Sequence, residues 1–159
     1  MEHVCKEDAL RLLRSTDDAE INALFKLADR VRDDTVRRQV CVHGLVEFSN
    51  ICRSHCFYCG IRAENKKLQR YRLPVATIAD IAINAANIHC YKMLVLQSGE
   101  DPWYDTDRLA WLVKEIRTKS KVLVFLSIGE RDVETYERLY RAGVRGMLFR
   151  FETSDSDLY

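Results

Sequence analysis

The run Cys52-Arg53-Ser54-His55-Cys56-Phe57-Tyr58-Cys59-Gly60 gathers three thiols within eight residues, with three residues between the first pair and two between the second. Thiolates so spaced can converge on one metal centre, because soft ligands select zinc, copper(I) or iron–sulfur clusters. A structural zinc takes four protein ligands in a closed tetrahedron. Three cysteines without an evident fourth suit a [4Fe–4S] cluster with one iron left open to a small molecule. Two other readings stand beside it: a Cys3His zinc site completed by His43 or His55, and a disulfide with a spare thiol. The disulfide is the weaker of these, since nothing in the chain has a secreted character.

The elements that must position this loop follow from periodicity. Residues 6–14 form a short amphipathic helix. Asp17 and Glu20 have capping-box spacing and open a second helix along Ile21, Leu24, Phe25, Ala28 and Val31, ending near Asp33–Thr35. Residues 40–48 read as a strand leading into the cysteine loop. Pro74 opens a helix through about His89, with Ile78, Ile81, Ala82, Ala85 and Ile88 on one face. Residues 92–97 suit a strand buried on both faces. Thr106 caps a helix with the stripe Leu109, Leu112, Val113 and Ile116, and residues 122–126 form a third strand. Asp132 opens a helix that turns Val133, Tyr136, Leu139 and Tyr140 inward, and Gly143 closes it in a left-handed C-cap. Residues 147–151 make the fourth strand.

Strands alternating with helices through short connections predict an α/β chain with a parallel sheet and right-handed crossovers. Each of the four strands runs into a polar word: the cysteine loop, Ser98-Gly99-Glu100-Asp101, Ser127-Ile128-Gly129-Glu130 and Arg150-Phe151-Glu152-Thr153. In a parallel barrel all carboxyl ends lie on one rim, and that rim hosts the active site. The expected fold is therefore a partial parallel (β/α) barrel of about four strands with helices outside, preceded by two N-terminal helices. A full barrel takes about 250 residues, and this chain has 159.

Composition narrows the function classes. With 25 basic and 24 acidic residues, no global field points to nucleic acid or an anionic membrane. Residues 62–72 concentrate Arg62, Lys66, Lys67, Arg70 and Arg72 around Tyr71. Such a stretch can bind nucleic acid, but the balanced total favours a solvated loop. No apolar run approaches the roughly 20 residues of a membrane span, and the N-terminus lacks the apolar core of a signal peptide. The expected location is cytoplasmic. Cys5, Cys41 and Cys90 lie far from the loop and read as small buried hydrophobes.

Beyond the residues themselves, CxxxCxYC followed by glycine resembles the signature of the radical S-adenosylmethionine (SAM) superfamily. Glu47-Phe48-Ser49-Asn50-Ile51-Cys52, Leu96-Gln97-Ser98-Gly99-Glu100-Asp101-Pro102, Leu126-Ser127-Ile128-Gly129-Glu130 and Arg150-Phe151-Glu152-Thr153 narrow the resemblance. They look like the HydE family of [FeFe]-hydrogenase maturases, in the biotin-synthase-like branch. The word from Gln97 to Asp101 carries most of that narrowing. The resemblance runs from about residue 7 to the end, with its motifs in the family's order. One departure is the helix opened by Pro74, which lacks the acidic start expected in the family.

The resemblance implies two cofactors, a [4Fe–4S] cluster and SAM, and reductive cleavage of SAM to a 5′-deoxyadenosyl radical. It assigns Cys52, Cys56 and Cys59 to the cluster. It assigns Tyr58, Ser98, Gly99, Glu100, Ser127, Arg150 and Glu152 to SAM and its pocket, and no residue to catalysis proper. Tyr58 is expected near the adenine, Ser98-Gly99-Glu100 near the amino group and Glu152 near the ribose. Ordinary loop packing of Tyr58, a plain turn at Gly99 and an Arg150–Glu152 ion pair are the structural counterparts of those roles. The expected partners are a small-molecule or organometallic substrate of H-cluster assembly, a flavodoxin- or ferredoxin-type reductant and other hydrogenase maturases. Residues 1–38 would be a helical extension and 39–159 the N-terminal half of the superfamily's barrel, truncated and with little activity of its own. Methylornithine synthase-like and biotin synthase-like enzymes, and a non-catalytic metal-binding fragment, are the other readings. Sulfur insertion is disfavoured, because Ser98, Ser127 and Glu152 stand at strand ends where a second cluster would need cysteines.

Overall fold

The computed structural model describes residues 5–37, 39–150 and 153–155. The chain divides into two compact units, Met1–Cys41 and Val42–Tyr159.

The first unit holds α1 (Lys6–Arg14) and α2 (Asp18–Val36). Cys5 caps α1 by accepting the Asp8 N–H on its Sγ, and Asp17 caps α2 by accepting the Ala19 N–H at 2.8 Å. Glu20 does not close the expected capping box. It takes the Ser15 hydroxyl at 2.5 Å and pairs with Arg11, while Ser15 Oγ receives the Asp17 N–H. A guanidinium and a hydroxyl within reach outcompete a lone backbone donor for an ionised carboxylate. No described residue of either helix is fully buried, and Phe25 and Val31 are exposed on the predicted apolar stripe.

The second unit contains β1 (Gly44–Ser49), α3 (Val75–Asn87), β2 (Met93–Ser98), α4 (Thr106–Lys119), β3 (Leu123–Ser127), α5 (Val133–Ala142) and β4 (Val144–Met147). The four strands form one parallel sheet in the order β1-β2-β3-β4. Alternate residues divide its faces. Val46, Phe48, Leu94, Leu96, Val124 and Leu126 are buried, in one core with Ile78 and Ala82 of α3, Leu109, Leu112, Val113 and Ile116 of α4 and Leu139 of α5. Each fully buried leucine, isoleucine or phenylalanine contributes about 1.5–3 kcal/mol of transfer free energy. The opposite face carries two rows in register, Leu45–Val95–Phe125–Gly146 and, toward the carboxyl ends, Glu47–Gln97–Ser127.

Several boundaries and faces differ from the periodicity reading. β1 begins at Gly44, where pairing with Leu94 starts, and leaves Val40 and Val42 exposed before it. β4 occupies residues 144–147 rather than 147–151, because Val144 is the apolar residue that reaches the core beside Val124. Asp105, not Thr106, caps α4, since its carboxylate accepts the Arg108 N–H. Ile81, Ile88, Val133 and Tyr140 turn outward, because the sheet and neighbouring helices cover narrower stripes of α3 and α5 than sequence spacing implies. Gly143 is the left-handed C-cap of α5 as expected. Cys5, Cys41 and Cys90 are exposed rather than buried: one caps a helix, one precedes β1 and one sits in a left-handed turn before β2.

Candidate functional site

β1 delivers the chain to a 22-residue excursion that leaves at Asn50 and returns at Tyr71, closed by an antiparallel bridge between Ser49 and Arg72. The three cysteines lie in its first part, and its closure is built from polar side chains. Asn50 donates to Gln69 O at 2.8 Å and accepts the Tyr71 N–H at 2.7 Å. Arg70 points inward and donates to the carbonyls of Asn50, Ile61, Arg62 and Asn65. Arg62 donates to Cys59 O at 2.9 Å. A guanidinium has five donors in a rigid fork, so Arg70 serves as the internal strut of a loop with little apolar content. Part of the sequence's basic patch is therefore a loop scaffold rather than a solvated face.

A second pair locks this loop to the end of β2. Asp101 is fully buried, and Arg72 meets it through two bonds, Nε to Oδ2 at 2.8 Å and Nη2 to Oδ1 at 2.7 Å. Ser49 Oγ donates to the same carboxylate at 2.7 Å and the Trp103 N–H at 3.1 Å. Burial pushes the Asp101 carboxyl up, but the Arg72, Ser49 and Trp103 donors outweigh it and hold the group below its ordinary value. The Trp103 ring stacks under the guanidiniums of Arg72 and Arg108, at 5.1 and 4.5 Å. Tyr104 donates to Leu73 O at 2.6 Å, and burial, with the Asp101 charge, pushes its phenol up to about 12.

The cysteine loop meets the β2 rim at close range. Gly99 donates its N–H to Ser49 O, and Arg53 N–H donates to Glu100 O. A Cβ on Gly99 would lie 2.3 Å from Ile51 O and 2.8 Å from Cys52 Cβ. The glycine thus permits approach of the chain's own cysteine loop. Gly99→Ala is expected to displace residues 51–53, lowering cluster occupancy after reconstitution by at least half while the far-ultraviolet circular dichroism stays parental.

Glu100 ties three segments together. Its Oε2 accepts from Arg53 Nε at 3.0 Å and its Oε1 from the Glu130 N–H at 3.1 Å. The side chain lies against Gly129, whose added Cβ would fall 2.0 Å from Glu100 Cγ at a φ of +72°. Burial raises the carboxyl, but donors from Arg53, Glu130 and Ser54 outweigh it and lower it below its ordinary value, so Glu100 is ionised at neutral pH. Arg131 Nη2 donates to Asp101 O at 3.1 Å, and its buried Nε has no partner among the described residues.

The structure brings together Cys52, Ser98, Gly99, Glu100 and Glu130. Cys52 Sγ accepts two N–H groups at 3.4 Å, from Ser54 in its own loop and from Glu100 on the β2 rim. Ser98 Oγ donates to Gly99 O, and Ser127 ends β3 beside Gln97. Tyr58 is exposed on the turn closed by Cys59 N–H to Cys56 O. Arg150 is exposed and lies three residues beyond the end of β4, so it is not on a strand as expected, and Glu152 lies outside the described residues. Glu47, absent from the sequence-derived site, faces the open side of the sheet and accepts from Gln97 Nε2 at 3.2 Å. Alternation along β1 was the signal for it. A cleft of about 240 Å³ lies here, lined by Glu47, Ser49, Asn50, Ile61, Tyr71, Gln97 and Ser98. A larger cleft of about 640 Å³, around Cys90, Lys92 and Lys121, lies at the amino ends of β2 and β3, away from these residues.

A model of the radical SAM superfamily matches residues 46–159. The chain belongs to that superfamily. It is 43% identical over 153 residues to the [FeFe] hydrogenase maturase subunit HydE of Thermotoga maritima, covering 96% of this chain and 43% of the relative. It is 29% identical to 3-methylornithine synthase of Methanosarcina acetivorans, covering 96% and 44%. The crystal structure of a methylornithine synthase superposes with a TM-score of 0.88 at 26% identity, over 99% of this chain and 47% of that one. The four-stranded sheet is thus a partial parallel (β/α) barrel of the radical SAM type. The chain spans under half the length of the curated relatives it matches.

Members of this superfamily are enzymes that use a [4Fe–4S] cluster and SAM. The donor set here fits the cluster. Three soft thiols come from one loop, and backbone N–H groups already point at Cys52 Sγ, the interaction that tunes cluster potentials. His55, one of the two candidates for a fourth zinc ligand, is engaged by Glu64, and among the described residues no three His, Cys, Asp or Glu side chains, the three loop cysteines included, gather around a single ion position. No helix among the described residues is long and apolar enough to cross a membrane.

Proposed function

We propose that this chain carries the cluster and SAM chemistry of a HydE-type maturase, with Cys52, Cys56 and Cys59 as the cluster ligands. The observation that carries the reading is the contact between the cysteine loop and the rim of β2. There Glu100 donates its N–H to a cysteine sulfur and offers its carboxylate beside it. When bound, the cluster supplies the single electron with which members of the superfamily cleave SAM to methionine and a 5′-deoxyadenosyl radical.

The chain's own residues bind and orient. An ionised carboxylate accepts about four hydrogen bonds, and Glu100 uses three, from Arg53, Ser54 and Glu130. The remaining position suits the ammonium of SAM's methionine, and the three filled ones keep the carboxylate from rotating away. Ser98 and Gly99 form the wall next to it, Ser127 extends that wall along β3, and Tyr58 offers a ring to the adenine. Arg150 and Glu152 belong to the proposed ribose end. Glu47 and Gln97 face the same open side of the sheet and contribute to the substrate wall.

The higher identity to HydE than to 3-methylornithine synthase favours a small-molecule or organometallic substrate of H-cluster assembly. The protein would act in the cytoplasm with a one-electron reductant and alongside other hydrogenase maturases. The test is anaerobic reconstitution followed by iron, sulfide and zinc analysis and by 5′-deoxyadenosine assay with dithionite. Iron with sulfide and SAM-dependent 5′-deoxyadenosine are expected. Zinc without sulfide would overturn the reading.

A further inference from the structure

The larger cleft, at the amino ends of β2 and β3, has no part in the proposed cluster and SAM chemistry. Its volume of about 640 Å³ falls within the roughly 300–1,000 Å³ of small-molecule sites. Its lining holds four cations, Lys92, Arg117, Lys119 and Lys121, and no carboxylate, in a chain of net charge +1. Arg117 and Lys119 stand in the last turn of α4, where basic side chains complement the helix dipole. Each also has a partner of its own. Arg117 donates to Val122 O at 2.8 Å, and Lys119 pairs with Glu115. Those two cations have a structural purpose.

Lys92 and Lys121 do not share it. They lie beyond the ends of α3 and α4, just before β2 and β3, and neither side chain has a hydrogen-bond or ion-pair partner among the described residues. Met93 and Leu123 are partners in the sheet, and the Leu123 N–H donates to Lys92 O at 2.9 Å. The two lysines therefore project from neighbouring strand ends, where strands run about 4.8 Å apart. Two like charges held side by side without a counter-ion repel each other, and a bound anion relieves that cost. The walls are braced as well. Asn87 Nδ2 donates to Lys119 O at 3.0 Å and ties the ends of α3 and α4, while the Tyr91 N–H donates to Ala85 O at 3.2 Å and holds the turn before Lys92. A ligand would meet a preformed cleft and spend little ordering entropy on it.

We infer that this cleft binds a phosphate-bearing small molecule, with Lys92 and Lys121 as its two charged contacts. Ammonium groups bind phosphate as point charges, so two of them on adjacent strands select a group whose negative oxygens can reach both at once. A diphosphate has that spread of charge, and a single compact anion has less of it. The cleft lies at the end of the sheet opposite the cysteine loop, with the length of β2 between them. The inference is therefore independent of the cluster reading, and both sites can be filled together.

The test titrates inorganic pyrophosphate and sulfate by calorimetry, at two salt concentrations, into the parent and two double variants. Lys92→Ala/Lys121→Ala empties the cleft of its unpaired charge. Lys66→Ala/Lys67→Ala removes the same charge from two exposed positions of the cysteine loop. The parent is expected to take one pyrophosphate at least tenfold more tightly than sulfate, and less tightly as salt rises. The cleft variant should lose at least tenfold in pyrophosphate affinity, and the loop variant should stay within twofold of the parent. Cys90 borders the cleft and is exposed, so it reports occupancy separately. Its alkylation by neutral iodoacetamide, read per cysteine by mass spectrometry, should slow severalfold with pyrophosphate, while the exposed Cys5 and Cys41 react at unchanged rates. Equal affinity for sulfate and pyrophosphate would mean an adventitious ion only and would overturn the inference. Equal losses in the two lysine variants, or no protection of Cys90, would do the same. Tighter binding of a polyglutamate peptide than of pyrophosphate would also overturn it, and would assign the cleft to an acidic protein instead.

Discussion

Cys56→Ser is expected to lose essentially all cluster after anaerobic reconstitution, while Cys90→Ser retains the parental content of about four irons per chain. Cys56 lies at the start of the turn closed by the Cys59 N–H, within the braced loop. A serine hydroxyl is a hard ligand that does not replace a thiolate on iron at neutral pH. Cys90 is exposed in the turn before β2, at the amino-terminal end of the sheet, with the whole length of β2 between it and the loop. Iron and sulfide analysis, with EPR of the reduced state, reads the difference. Equal loss in both variants would show that the ligands are not the three cysteines of the loop. Cys41→Ser provides a second control, since Cys41 is also exposed and precedes β1.

The parts of this molecule legible in the sequence are those governed by local periodicity. The buried stripe of α4, Leu109, Leu112, Val113 and Ile116, repeats at helical spacing and is buried as expected. The alternation of strand and helix, which gives the parallel sheet and its single rim, was legible for the same reason. What periodicity could not supply was pairing between residues distant in the chain. Arg72 and Asp101 are 29 positions apart, and each is unremarkable alone: one sits in a basic stretch, the other in a polar turn. Only the return of the loop onto β1 makes them a buried pair. Arg70 likewise reads as surface charge until four carbonyls are seen around it. Gly99 reads in the sequence as a turn glycine, and only the fold shows that Ile51 and Cys52 lie against the space it leaves. Strand propensity extends through Phe151, yet β4 ends at Met147, because the core contact available to it is at Val144.

The buried pair itself supports the second prediction. Removing one partner of a buried ion pair costs about 3–5 kcal/mol, because the other charge is left without compensation. The two halves here are unequal: the Asp101 side chain is 0% exposed and that of Arg72 is 32% exposed. Asp101→Ala leaves an arginine that can turn partly to water over Trp103, so its cost falls near the lower end, about 3 kcal/mol. Arg72→Ala strands a fully buried carboxylate with only Ser49 and the Trp103 N–H, so its cost falls near the upper end, about 5 kcal/mol. Either loss is a large part of the 5–15 kcal/mol typical of a folded domain, and denaturant titration of both variants would rank them. Acid should act through the same group. Its carboxyl is held below the ordinary 3.8 in the folded chain, so the pair contributes fully at pH values above 3.8. That contribution is lost as pH falls below 3.8 toward the folded value, because the unfolded chain takes up the proton first. Asp101→Asn should therefore be less stable than the parent near neutrality and show a shallower loss of stability between about pH 4 and pH 2. An equally steep acid limb in Asp101→Asn would assign the acid sensitivity to other carboxylates, with Glu100, also lowered by its donors, the next to replace.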